Sequence, residues 1–298
     1  MTTSFANRRH GLVILAAALT LGAAAAGGSI LDLSPNPDLA AAAGFGTPGM
    51  HTRYGASVTM GNGMARTYVL VDGMTGNPVE VGVALSEKAL EGLPEHLPPA
   101  APGAHGAFSE YLLELPGHNP TPYKFVEVDW NPHGHGGPYV APHFDFHFYR
   151  VPLATRNEID LGAPDFETKA ARLPSGDEFP ATYASSHVLL NTTPAGMTVP
   201  RMGLHWVDTQ SPELPPQNKP FTATYIMGSW NGQVIFDEPM VTRDFILAQR
   251  TGPATAAEIA VPAAKRYVPS GFYPASYGIR WDEKAREYRI ALQGLEKR

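Results

Sequence analysis

From about residue 57 onward, apolar and polar residues alternate with the period of two that belongs to half-buried strands. Residues 65–71 (ARTYVLV) and 78–85 (PVEVGVAL) are two such runs around the turn cluster DGMTGN, and together they predict a hairpin. Ser86 stands where it can cap a short helix, EKALEGL, ended by Pro94. Runs at 108–115 and 123–130 predict further strands, and HFDFHFYRV, starting at His143, is the most regular alternation in the chain. A short helix is expected at 165–172, and RMGLHWVD predicts a strand through His205. TATYIMGSW and QVIFDE flank Asn231-Gly232, the dipeptide preferred in two-residue type I′ turns. An uninterrupted ladder from that turn pairs Trp230 with Gln233 and puts Glu238 opposite Tyr225. Thr242 can cap a helix RDFILAQ, and SYGIRWD with EYRIAL predicts a last hairpin. Strands outnumber helices and no βαβ alternation is present. The predicted fold is mainly β: a single antiparallel β-sandwich or barrel domain with a few short helices.

The same alternation sorts the chemistry. It puts Phe144, Phe146 and Phe148 on one strand face, the core, and His143, Asp145, His147 and Tyr149 on the other. A plain solvent face would carry Lys, Thr, Glu or Ser, whereas imidazole with carboxylate is a ligand set for Zn²⁺, Fe, Mn or Cu. The competing reading is a hydrogen-bonded polar row. Strand positions two apart are about 6.6 Å apart and suit one ion, while His143 and His147, four apart, are about 13 Å apart. Two arrangements remain open. A single metal takes Asp145, one flanking histidine and donors from elsewhere, or Asp145 bridges two ions or leaves one histidine for acid–base work.

Donors from elsewhere are at hand. Eight residues before the row lies NPHGHGG, where Gly134, Gly136 and Gly137 let His133 and His135 converge, although the glycines also suit a surface turn. Asp129 can orient a ligand imidazole from behind. His205, beside Trp206, is a further ligand or a satisfied core histidine. Glu238 is a fifth ligand or general base, against a solvated strand end, and Tyr149 is a general-acid candidate. His51, His96, His105, His118 and His187 sit in loop-like contexts and read as surface.

Composition narrows the classes. The 298 residues include 30 glycines and 29 prolines, about a fifth of the chain, too many for a helical bundle. With 43 % apolar residues the chain is too hydrophobic for disorder. There is no cysteine, so any metal must be held by nitrogen and oxygen. GxSxG, P-loop, HExxH and dinucleotide motifs are absent. Arg8 and Arg9 followed by an apolar stretch and Ala24-x-Ala26 predict a signal peptide over 1–26, then an Ala/Gly/Pro tether over 27–56 and one domain over 57–298. Loss of the leader takes the formal charge from −6 to −8, which excludes a nucleic-acid footprint. A secreted or periplasmic protein with no stable membrane anchor after cleavage is expected.

VDWNPHGHGGPYVAPHFDFHFY, MGLHWVD and the hairpin leading to IFDEPMVT resemble an uncharacterised family of exported bacterial proteins, from about Gly61 to Leu292. The resemblance implies a single β-rich exported domain and no particular activity. Here GGP follows HGH where the family pattern has a longer acidic and proline-containing loop. Three functions are in play: a metal-dependent hydrolase or lyase acting on a small molecule, a non-catalytic metal scavenger of the cell envelope, and a homo-oligomeric binding or assembly module.

Overall fold

The structure, a computed structural model, describes residues 49–298 except 101, 105 and 253–255. The expected leader, the tether up to residue 48 and His105 lie outside the described residues. The end of the tether is not a tether: Met50–Tyr54 forms strand β1, antiparallel to β3. The remaining strands are β2 (Val58–Met60), β3 (Gly63–Asp72), β4 (Pro78–Ser86), β5 (Ser109–Glu114), β6 (Phe125–Asn131), β7 (His143–Tyr149), β8 (Tyr183–Ser185), β9 (Thr198–Val199), β10 (Gly203–Asp208), β11 (Ala223–Trp230), β12 (Gln233–Thr242), β13 (Ala256–Ala260), β14 (Phe272–Tyr273), β15 (Ser276–Asp282), β16 (Glu287–Gln293) and β17 (Glu296–Lys297).

Two large antiparallel sheets pack face to face as a sandwich, with no closed barrel among the described residues. The first runs β1-β3-β4-β16-β15-β13, and the second β5-β6-β7-β12-β11-β10-β8. Their facing surfaces merge in one core, where Val69, Val83 and Ile290 of the first sheet meet Val128, Phe146 and Met227 of the second. The expected hairpins at 65–85, 222–238 and 276–292 are present, and Thr242 caps helix Arg243–Thr251 by accepting from Phe245 N.

Two local expectations fail. Residues 87–90 make turns, not the helix EKALEGL; the Ser86 hydroxyl is taken by Met64 N at 2.9 Å and so caps nothing. The Asn231-Gly232 turn does pair Trp230 with Gln233, and both turn residues have positive φ, 50° and 78°. The ladder then slips at Gly228/Ser229: Ser229 pairs with Val234 but Gly228 pairs with Phe236. This bulge moves Glu238 from Tyr225 to Ile226. A one-residue slip changes face, so Asp237 turns to the core and Glu238 to the opposite side.

That opposite side is the outer face of the second sheet, and it is not solvated. All seven residues of β6 and of β7 are buried. Residues from the connections, including Ile159, Phe166 and Met202, pack over part of it, and Tyr139 and Phe221 over another part.

Candidate metal centre

The pairing registers assemble the outer face row by row. Asn131 lies opposite His143, Asp129 opposite Asp145, and Glu127 opposite His147. On the far side of β7, β12 places Met240 opposite Asp145 and Phe236 opposite Tyr149, which brings Glu238 level with His147. His205 reaches the same face because β10 pairs it with Gly228, the partner of Phe236. Gly228 leaves the room needed there: a Cβ would stand 2.1 Å from the Phe236 ring. That ring packs edge-on against His147 and also touches His205, with centroids 4.8 and 5.6 Å apart.

Three groups of donors result, each with its atoms within 4.8 Å of one another: His135, His143 and Asp145; His147, His205 and Glu238; and Glu127, Asp129 and His147. In the first, His143 Nε2 is 3.1 Å from Asp145 Oδ1, and His135 Nε2 is 3.8 Å from Oδ2. The Asn131 amide donates to Asp145 Oδ2 at 2.8 Å. In the second, Glu238 Oε2 is 3.5 Å from His147 Nε2 and 3.9 Å from His205 Nε2. In the third, Asp129 Oδ2 is 3.6 Å from His147 Nδ1, while Glu127 is ion-paired to the buried guanidinium of Arg156, which also binds Glu110 at 2.5 Å. His147 thus shows one ring nitrogen to Glu238 and the other to Asp129, and neither has a hydrogen-bond partner.

Electrostatics follow from this crowding. Ionised, the four buried carboxylates Glu127, Asp129, Asp145 and Glu238 exceed Arg156 by three negative charges. Burial, with the charges of Asp145 and Glu127, holds the Glu238 carboxyl well above the usual range, and burial with Glu127 and Asp145 does the same for Asp129. Burial raises Glu127 to about 7 against the pull of Arg156. Burial also lowers His147 to about 3 and His205 to about 4. Burial would raise Asp145 too, but the His143 and His135 imidazoles outweigh it and hold that carboxyl low. Asp145 in turn overcomes the effect of burial on His143 and raises it.

The neighbouring carboxylate shows the contrast. Asp237, on the core side, accepts from Arg150 Nε and Nη2, Tyr123 and Tyr225, all at 2.8 Å. Glu238 Oε2 is as deeply buried and accepts nothing. Buried polar groups in folded proteins are normally satisfied, so one fully bonded carboxylate beside one left open makes the second a candidate metal ligand.

Of the residues expected at the site, the structure brings together His135, His143, Asp145, His147, His205 and Glu238. Two stand apart. His133 is exposed and its Nε2 lies 2.9 Å from the Glu95 carbonyl, so the loop turns only one of its two imidazoles inward. Tyr149 is buried, stacks on Phe125 and, with centroids 5.8 Å apart, on His147, and its hydroxyl proton is engaged by the Arg201 carbonyl at 3.0 Å. Glu238 is not a solvated strand end, being 2 % exposed. Glu127 and Asn131 join the face unannounced, although FVEVDWN alternates as HFDFHFY does and carried the signal.

No curated protein and no solved structure matches this chain significantly. The matched stretch of a family model takes in Glu127 and Asp129 and stops before the HGH loop, so it supports the resemblance seen in the longer histidine pattern over that part alone. Residues 74–130, about a fifth of the chain, carry a TTHB210-like domain, a family described by the hypothetical protein TTHB210 and without an assigned function.

Proposed function

We propose that this is an exported metal-binding protein that holds a divalent ion, zinc before iron, manganese or copper, between His147, His205 and Glu238. One observation carries the reading: His147 Nε2 and Glu238 Oε2 are both buried, both without a hydrogen-bond partner, and 3.5 Å apart. That is beyond a good N–H···O bond. Two donors bound at about 2.1 Å to one ion, at right or tetrahedral angles, lie about 3.0–3.4 Å apart, a few tenths of an ångström from what is seen. Asp129 Oδ2 lies 3.6 Å from His147 Nδ1, beyond hydrogen-bond distance, on the side from which a carboxylate can orient a ligand imidazole.

Three protein ligands leave a coordination position open, and a bound ion there supplies an acidified water and a polarised carbonyl. This supports a metal-dependent hydrolase or lyase acting on a small molecule. His135 and His205, with side chains 10 % and 16 % exposed, give the face its opening to solvent. The near-complete burial of the other donors favours the second reading, a metal scavenger of the envelope. Export is proposed from the leader-like residues 1–26.

Elemental analysis of protein purified from the export compartment tests the reading. About one or more equivalents of metal, with a lower melting temperature after chelation, is expected. Absence of stoichiometric metal together with unchanged melting overturns it. Water-proton relaxation of the manganese-loaded protein then separates enzyme, with exchanging water, from scavenger, with a closed shell.

A further inference from the structure

We propose that a second divalent cation lies between His143 Nε2 and Asp145 Oδ1, with His135 as its third protein ligand. The buried face then holds two ions rather than one.

The argument starts from the tautomer of His143. Its Nδ1 is 2.7 Å from the Ala141 carbonyl, an oxygen that can only accept, so Nδ1 must carry the hydrogen. In the neutral ring, Nε2 is then a bare lone pair. It faces Asp145 Oδ1 at 3.1 Å, with both residues wholly buried. Two acceptors at that distance repel unless something positive stands between them, and only a second proton on the ring or a metal ion can do so. The spacing falls within the about 3.0–3.4 Å expected of two donors on one ion.

The surroundings are arranged for the ion. Asn131 donates to Asp145 Oδ2 and so turns Oδ1 toward His143. The His135 ring stands edge-on to that of His143, centroids 4.7 Å apart, with its Nε2 toward the same carboxylate. Phe221 closes the other side of His143, with centroids 5.4 Å apart and rings perpendicular. Charge points the same way. Fully ionised, as metal ligands and their neighbours become when an ion binds, the four carboxylates exceed Arg156 by three negative charges, which a single dication does not neutralise. Two dications leave one positive charge, which an anion from solvent or substrate can balance.

The proposal deepens the metal-binding reading but rests on different atoms, so the two can fail separately. Protein from the export compartment is stripped with chelator and titrated with Zn²⁺ alone, counting bound metal after desalting. Two equivalents are expected, falling to one in Asp145→Asn and to one in Glu238→Gln. A single equivalent that persists in Asp145→Asn overturns the second ion and leaves the His147 site standing. A single equivalent that persists in Glu238→Gln and vanishes in Asp145→Asn supports the cation at His143 and overturns the other site. Loss in both variants means one shared ion and overturns the proposal. Should either variant fail to fold, anomalous diffraction from wild-type crystals grown with Zn²⁺ decides. A peak within bonding distance of His143 Nε2 and Asp145 Oδ1 supports the site, and no peak there at saturation overturns it.

Discussion

Asp237 and Glu238 are adjacent carboxylates with opposite fates, and exchanging each for its amide separates folding from metal binding. Asp237→Asn removes the counter-charge of Arg150, whose side chain is only 4 % exposed, and disturbs the acceptor of two buried tyrosine hydroxyls. Stranding one member of a buried ion pair costs about 3–5 kcal/mol. At about 2–4 °C per kcal/mol for a domain of this size, melting should fall by roughly 6–20 °C with or without metal. Glu238→Gln is nearly isosteric and replaces an acid whose ionisation is opposed by burial and by the charges of Asp145 and Glu127, so the chelated variant should melt within about 1 kcal/mol of wild type. The effect of zinc reverses the ranking. A site filled at a hundredfold excess over its Kd adds about 2.7 kcal/mol, or roughly 5–11 °C. Glu238→Gln should forfeit that share, while Asp237→Asn keeps it. Differential scanning calorimetry of both variants, chelated and zinc-loaded, measures all four numbers. Equal zinc-dependent gains in the two variants, or a chelated Glu238→Gln melting as low as Asp237→Asn, would refute the contrast between a satisfied and an open carboxylate.

Three further outcomes are expected. Between pH 6.5 and 8.5 the chelated protein should lose stability. Glu127, Asp129, Glu238 and His143 have folded pKa values raised above their unfolded ones, so their contribution is complete at low pH and lost as pH rises through the folded values. His147 and His205 are depressed; their contribution is lost only as pH falls below about 6.5 toward about 3 and 4, and does not offset this. Each uncompensated group is worth up to about 1.4 kcal/mol per pH unit, and a flat or rising melting curve over that range contradicts the assignment. Gly228→Ala should drive the new methyl into the Phe236 ring, cost about 1–3 kcal/mol, and weaken metal binding without altering a ligand; unchanged zinc affinity by calorimetric titration would count against a supporting role for that ring. His133→Ala should leave metal content unchanged and melting within about 0.5 kcal/mol of wild type, so loss of metal in this variant would restore His133 as a ligand.

Much of this face could be read from residue order because both of its central strands obey a strict period of two. HFDFHFY separated its phenylalanines from its imidazoles without reference to any neighbour, and the structure keeps that separation. Three things were not legible, each for a physical reason. That the polar side of β7 is buried depends on Ile159, Tyr139 and Phe221 folding back over it from distant parts of the chain. The inward turn of His135 and outward turn of His133 depend on loop dihedrals, including Gly134 at φ 63° and Gly137 at φ 76°, which no periodicity encodes. The position of Glu238 depends on where the ladder bulges, and pairing counted back from the Asn-Gly turn assumes that it does not.

The bulge has a consequence for how this chain can change. The hairpin beyond Gly228 is read in a frame of two, and the extra residue at Ile235 sets that frame. Were the same length of chain to close as an uninterrupted ladder, with Ile235 paired instead of bulged, the two carboxylates would exchange faces. Glu238 would then point at the tyrosines of the core, and Asp237, with its four donors abandoned, at the histidines. Core and binding face are therefore locked to one insertion. Substitutions can tune either side alone, but a slip of register at this point breaks both at once.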